Sequence, residues 1–160
     1  MKIPMELKHK PVFVCNDYER IDGRKAYDSD AKGLTLGLAQ WNDRGKVDIS
    51  AKVWRYTGEK WSRQSEELPL HRVIDLAILI CRAKQYLNEE YHAPAGVDGI
   101  IDRVGLQGDA MTVALALENP MLEEDKKLFF ETLSKDDEML SQRLNVLANM
   151  LREMNYGSNR

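Results

Sequence analysis

The chain has 160 residues, of which 43 % are hydrophobic and 31 % charged, and its formal net charge is −3. That composition belongs to globular proteins and excludes a disordered chain; the length suits a single domain over 1–160 with flexible ends at 1–10 and 155–160. The negative balance excludes a molecule drawn as a whole to nucleic acid or anionic membrane, so such binding needs a local basic patch.

Met1–Lys10 is charged throughout and has no apolar run of the kind that opens a signal peptide. The longest apolar stretch, Val73–Cys81, is interrupted by Asp75 and is too short to span a bilayer. A cytoplasmic address is therefore expected, with Cys15 and Cys81 as free thiols and Cys81 buried.

In chain order, residues 1–10 are a basic lead-in and Val12–Cys15 is a short strand after Pro11. Residues 16–32 are a turn-rich loop containing Asp22-Gly23 and Asp28-Ser29-Asp30. From Gly33, Leu34, Leu36 and Leu38 alternate with Thr35, Gly37 and Ala39; then Val47, Ile49, Ala51 and Val53 alternate with Asp48, Ser50 and Lys52. This period of two predicts half-buried strands, joined by a turn at Asn42–Gly45. Thr57-Gly58 is the next turn, and Lys60–Leu68 completes an antiparallel meander over about 33–68. Pro69 opens a helix to about Leu87, whose residues Leu70, Val73, Ile74, Ala77, Ile78 and Cys81 recur at helical spacing. Leu76, Leu79 and Ile80 widen its apolar surface, so the helix is expected to be buried.

Residues 88–108 hold Pro94 and four glycines and read as mostly irregular, while Met111–Leu117 reads as a further strand. Asn119-Pro120 starts a helix over about 121–133 with three acids in its first turn. The last helix, about 136–154, carries Leu140, Leu144, Leu147 and Leu151 in a heptad-like seam that suits packing onto the protein or onto a second copy. The fold class is α+β.

The register of the meander can be argued. With Asn42–Gly45 as the loop, Trp41 faces Lys46, and Leu38 pairs with Ile49, Leu36 with Ala51 and Leu34 with Val53. All the aliphatic residues then share one face, which a one-residue slip would scatter. With Thr57-Gly58 as a two-residue loop, Trp54 lies opposite Trp61 and Lys52 opposite Arg63. The other face then collects Thr35, Ala39 and Trp41 from the first strand, Lys46, Asp48, Ser50, Lys52 and Trp54 from the second, and Trp61, Arg63 and Ser65 from the third, with Trp41, Lys46, Lys52, Trp54, Trp61 and Arg63 as the candidate contacts. Residues 41–65 hold six Lys/Arg against three acids, whereas residues 118–138 hold eight acids against three Lys.

Two readings of this face stand side by side. Rings among cations are what single-stranded nucleic acid requires, because bases stack on aromatics and Lys or Arg follows the phosphates. Alternatively the C-terminal helices cover the face, the tryptophans are core with their indole N–H groups bonded locally, and the cations form the rim.

Other constellations carry less. His71 and Asp75, four residues apart, have the spacing of an acid–base pair; with Glu67 they equally form an acidic cluster that stabilises a helix start. His9, His71, His92, Cys15 and Cys81 show no metal-ligand spacing. Gly105–Asp109 is not a phosphate loop, since no Lys-Ser/Thr follows it. No metal, cofactor or catalytic residue is expected.

Two blocks, Asp30–Gly45 running on through Lys46–Arg82 and Asp102–Val113, resemble a small bacterial protein family known only as a domain of unknown function. The resemblance covers about residues 5–156 and implies no activity. The architecture, Lys- and Trp-rich strands followed by a helix, looks like the Whirly-type and coactivator-type single-stranded DNA-binding folds. Those use a four-stranded sheet and a dimer, whereas three contiguous strands and an acidic C-terminal extension are legible here. The sequence thus points to a non-enzymatic binding module. Single-stranded nucleic acid is the first candidate partner, a homodimer or other protein contact through the α-helical seam the second, and an enzyme using His71 and Asp75 the third.

Overall fold

β1 (Lys10–Asn16), β2 (Ala31–Leu38), β3 (Ile49–Arg55) and β4 (Glu67–Pro69) form an antiparallel sheet in the order β1-β2-β3-β4. The computed structural model describes residues 1–43, 45, 47–63, 65–89 and 96–157. α1 (Leu70–Glu89) follows β4 directly; β5 (Ile100–Gly105) and β6 (Ala110–Ala114) form a two-stranded hairpin; α2 (Leu122–Lys135) and α3 (Asp137–Glu153) complete an α+β fold. The chain divides into two compact units, Met1–Cys81 and Arg82–Arg160.

In the first unit the β2–β3 register is the one the aliphatic alternation demands: Leu38 pairs with Ile49, Leu36 with Ala51 and Leu34 with Val53. The hairpin end is fastened by Asn42, whose side-chain amide donates to the Asp48 carbonyl at 3.1 Å and accepts from the Asp48 N–H at 2.8 Å. β1 joins β2 through a bulge between Pro11 and Phe13. Two single-turn 3-10 helices, Tyr18–Arg20 and Gly23–Lys25, occupy the expected loop.

The third strand differs from expectation. Tyr56, not Trp54, bridges to Trp61, and Lys52 pairs with Glu67, not Arg63. The reason is the turn: Thr57 N–H donates to the Lys60 carbonyl at 2.9 Å, so the turn takes four residues instead of two. The chain then regains strand geometry only at Glu67–Pro69.

The core of this unit lies on the face opposite the leucines. Ala31, Thr35, Ala39, Ser50 and Trp54 are buried there together with Ile3 and His9. The leading residues, expected to be flexible, thus supply two anchors to the core. The expectation of a buried α1 is also corrected. Tyr86 and Leu87 are its buried residues, while Val73, Ile74, Leu76, Leu79 and Ile80 are exposed, as is Cys81. Leu70 follows Pro69 with no connecting residue, so α1 leaves the end of β4 directly and its first turn brings Val73 to the aliphatic face.

In the second unit, β5 occupies a segment expected to be irregular, and the Leu106–Asp109 turn, closed by Leu106 N–H to the Asp109 carbonyl at 2.8 Å, joins it to β6. Asn119 accepts from the Met121 N–H at 2.9 Å, and α2 starts one residue further on. Arg82 pairs with Asp102 at 2.8 Å, and Lys84 pairs with Asp137. No described helix is long and apolar enough to cross a membrane.

Candidate functional site: the two faces of the sheet

β2 presents a track of small buried residues, Gly33, Thr35, Gly37 and Ala39, on the face opposite its leucines. A glycine inside a strand marks a place where another group must approach closely, and both glycines here have one. A Cβ on Gly33 would collide with Ile3 Cδ1, and one on Gly37 would collide with the Lys10 carbonyl.

Beside that track stands a closed polar network. His9, with no exposed surface, has Nδ1 3.0 Å from Ser50 Oγ and 2.9 Å from Glu67 Oε1, and Nε2 2.9 Å from Thr35 Oγ1. Ser50 Oγ donates to Glu67 Oε1 at 2.6 Å, the Gln40 N–H donates to the same oxygen at 3.0 Å, and Trp54 Nε1–H donates to Thr35 Oγ1 at 2.8 Å. Ser50 and Trp54 donate their protons to Glu67 and Thr35, so His9 Nδ1 is the donor to the Glu67 carboxylate and Nε2 faces the Thr35 hydroxyl.

The Glu67 side chain is 2 % exposed. Burial alone would raise its pKa, but hydrogen bonds from Ser50, the Gln40 N–H and His9 outweigh that and hold it below the usual carboxylate range. Its second oxygen, Oε2, has no hydrogen-bond partner among the described residues and lies 4.0 Å from Lys52 Nζ. Burial pushes the Lys52 ammonium down from its usual pKa, with Glu67 opposing; its Nζ sits 4.1 Å from the centroid of the Trp54 ring, a cation–π contact.

The structure brings three of the sequence-designated residues together and separates the rest. Lys52 lies over Trp54, and Trp54 packs edge-to-face with Trp61 at 5.9 Å. Trp54 is 1 % exposed, so this ring cannot stack on a base, and Trp61 is half-buried against Tyr56 at 5.4 Å. Trp41 is 40 % exposed with its N–H on Asp48 Oδ2 at 2.8 Å, and Arg63 is exposed. Lys46 lies outside the described residues, as does His92.

The opposite face is open. Phe13 is 69 % exposed, and Leu36, Leu38 and Ile49, which share its face, are exposed with it. A groove of about 490 Å³ runs between Phe13, Leu34, Leu36, Ala51, Val53 and Val73. The α3 seam is half open: Leu140 and Leu144 are half-buried, Leu147 and Leu151 exposed. His71 is exposed and Asp75 half-buried, with no hydrogen bond between them.

A model of a family of unknown function, DUF6530, matches residues 1–156. The chain belongs to that family. No curated protein and no solved structure matches it. DUF6530 membership therefore brings no activity with it, and the likeness to Whirly-type and coactivator-type folds rests on sequence pattern alone. What distinguishes this DUF6530 chain chemically is the contrast between its two sheet faces.

The sequence places Thr35 and Ser50 on the face opposite the leucines, but not the network that joins them to His9 and Glu67. A signal for that network was present in the four small residues alternating with leucines along β2, which only a close-packed partner on that side explains.

Proposed function

We propose that this chain is a non-enzymatic binding module that pairs with a second copy of itself through the open aliphatic face of the four-stranded sheet. The observation that carries this reading is the exposure of Phe13, Leu36, Leu38 and Ile49 on the sheet face that holds the groove. A patch of this kind exceeds scattered surface apolar residues and marks a contact site. These four side chains carry no charge, and the two charged residues that also line the groove, Lys52 and Glu66, are of opposite sign, so two copies related by a twofold axis can meet there with a Lys opposite a Glu. The groups best suited to acid–base chemistry, His9, Ser50 and Glu67, are bonded to one another and sealed, which supports a binding role over a catalytic one.

Light scattering across a dilution series tests this. The expected mass is near twice 18.4 kDa, and Leu36→Lys or Phe13→Lys, at exposed positions that the fold tolerates, should reduce it to one chain. A mass of one chain at every concentration sinks the proposal. If Leu147→Asp dissociates the pair and Leu36→Lys does not, the α3 seam is the interface instead. Single-stranded nucleic acid keeps Trp41 and Arg63 as exposed contacts but lacks Trp54 as a stacking surface. A tryptophan-quenching titration with a mixed oligonucleotide at low salt should therefore show no saturable change.

A further inference from the structure

Residues 1–9 form no strand or helix, and Met1, Lys2, Met5, Glu6, Leu7 and Lys8 are exposed. The segment is held by two buried side chains and by the Met1 ammonium, which lies 3.4 Å from Asp17 Oδ1 in an exposed ion pair. Ile3 fills the notch above Gly33, and the His9 ring fills a socket whose walls contact both of its nitrogens and one edge. That socket has the features of a ligand site. A buried carboxylate and a hydroxyl, Glu67 and Ser50, meet one ring nitrogen; a second hydroxyl, Thr35, meets the other; and Trp54 packs edge-to-face at 6.0 Å. Glu67 also has a spare buried oxygen that nothing described satisfies by hydrogen bonding.

A segment held by two buried side chains and one exposed ion pair, without a backbone ladder, can open at a free energy below that of global unfolding. We propose that residues 1–9 are a detachable strap whose His9 is a ligand bound in cis, and that the socket takes an imidazole-type ring in trans when the strap lifts. The recognised chemistry is a small aromatic ring with an N–H donor for Glu67 on one side and a second nitrogen for the Thr35 hydroxyl on the other. A free imidazole compound supplies it, as does the histidine of another extended chain. This site lies on the face opposite the proposed self-pairing surface, so either proposal can fail without the other.

Two measurements on the full chain decide it. In the native protein, the Trp54 indole proton should exchange with solvent through an opening less sensitive to denaturant than that of the β2 and β3 amides. Equal sensitivity would mean that the strap leaves only when the sheet unfolds, and would overturn the proposal. In His9→Gly, imidazole should restore the lost thermal midpoint and the Trp54 indole signal in a saturable way. 1-Methylimidazole, whose methyl group occupies one of the two ring nitrogens that must meet Glu67 and Thr35, should bind roughly ten-fold more weakly or worse, the loss expected when a hydrogen bond to a charged group goes unmade. No restoration at saturating imidazole, or equal effects of the two rings, overturns the proposal, as does a variant that stays unfolded in imidazole. A synthetic peptide of residues 1–10 that binds this variant more tightly than imidazole identifies an extended chain as the trans ligand, because it also fills the Ile3 notch; equal affinity identifies the free ring.

Discussion

At the residue scale, Glu67 is the group on which the first unit depends most. It accepts from Ser50, the Gln40 N–H and His9 in a site with almost no solvent. Its pKa is held below the usual range, so the folded state binds this proton less readily than the unfolded chain. The stability it contributes is fully present above the unfolded value of about 4.3 and is lost as pH falls through the lower folded value. Thermal midpoints between roughly pH 3 and 7 should fall steeply at the acid end in the native chain, and Glu67→Gln should flatten that limb. The same substitution should cost about 1–3 kcal/mol at neutral pH, because the charge-assisted bonds weaken and one partner is left short. An unchanged acid limb in Glu67→Gln would assign the pH dependence to other carboxylates. None of this was legible in the sequence. Glu67 reads as a helix-flanking acid, and its partners lie 27 or more positions away in two of three cases, at Gln40 and His9. His9 sits in a lead-in that composition alone marks as loose.

At the element scale, the β2–β3 pairing was legible because Leu34, Leu36, Leu38, Ile49, Ala51 and Val53 admit one register that keeps them on a common face. What they do not reveal is which face becomes core, since the opposite positions, Thr35, Ala39, Ser50 and Trp54, can be buried too. Ile3 and His9 pack on that side, through contacts distant in sequence. The two β2 glycines make that packing testable. Gly37→Ala places a Cβ against the backbone of Lys10 and Pro11, which can move only if β1 moves; it should destabilise by about 1–3 kcal/mol, the range of overpacking. Gly33→Ala meets first the flexible end of Ile3, and the Cys15 carbonyl at 3.1 Å. Its cost should be smaller, and Ile3→Ala should recover part of it. Chemical denaturation of the two single variants and of Gly33→Ala/Ile3→Ala measures that coupling. Additive costs would mean that Ile3 does not seat over Gly33. The β3–β4 pairing was misread for a local reason: Thr57 also accepts from the Lys60 N–H through its hydroxyl at 3.3 Å, which favours a four-residue turn over the expected two.

At the scale of the whole molecule, charge and apolar surface make opposite predictions for association. Residues 41–65 are locally basic and residues 118–138 acidic, so a contact between those segments of two chains would be electrostatic. It would weaken as salt shortens the reach of exposed charges to about 3 Å at 1 M. A contact through Phe13, Leu36, Leu38 and Ile49 has no such dependence. Excluded salts such as ammonium sulfate should strengthen it, because they raise the cost of keeping apolar surface in water. The dissociation constant of the pair, measured by sedimentation between roughly 0.05 and 0.5 M sodium chloride, should therefore stay constant or tighten. It should tighten further in ammonium sulfate, and Leu36→Lys should remove both responses together. A dissociation constant that rises steeply with sodium chloride would transfer the contact to the charged segments and leave the aliphatic face without a partner.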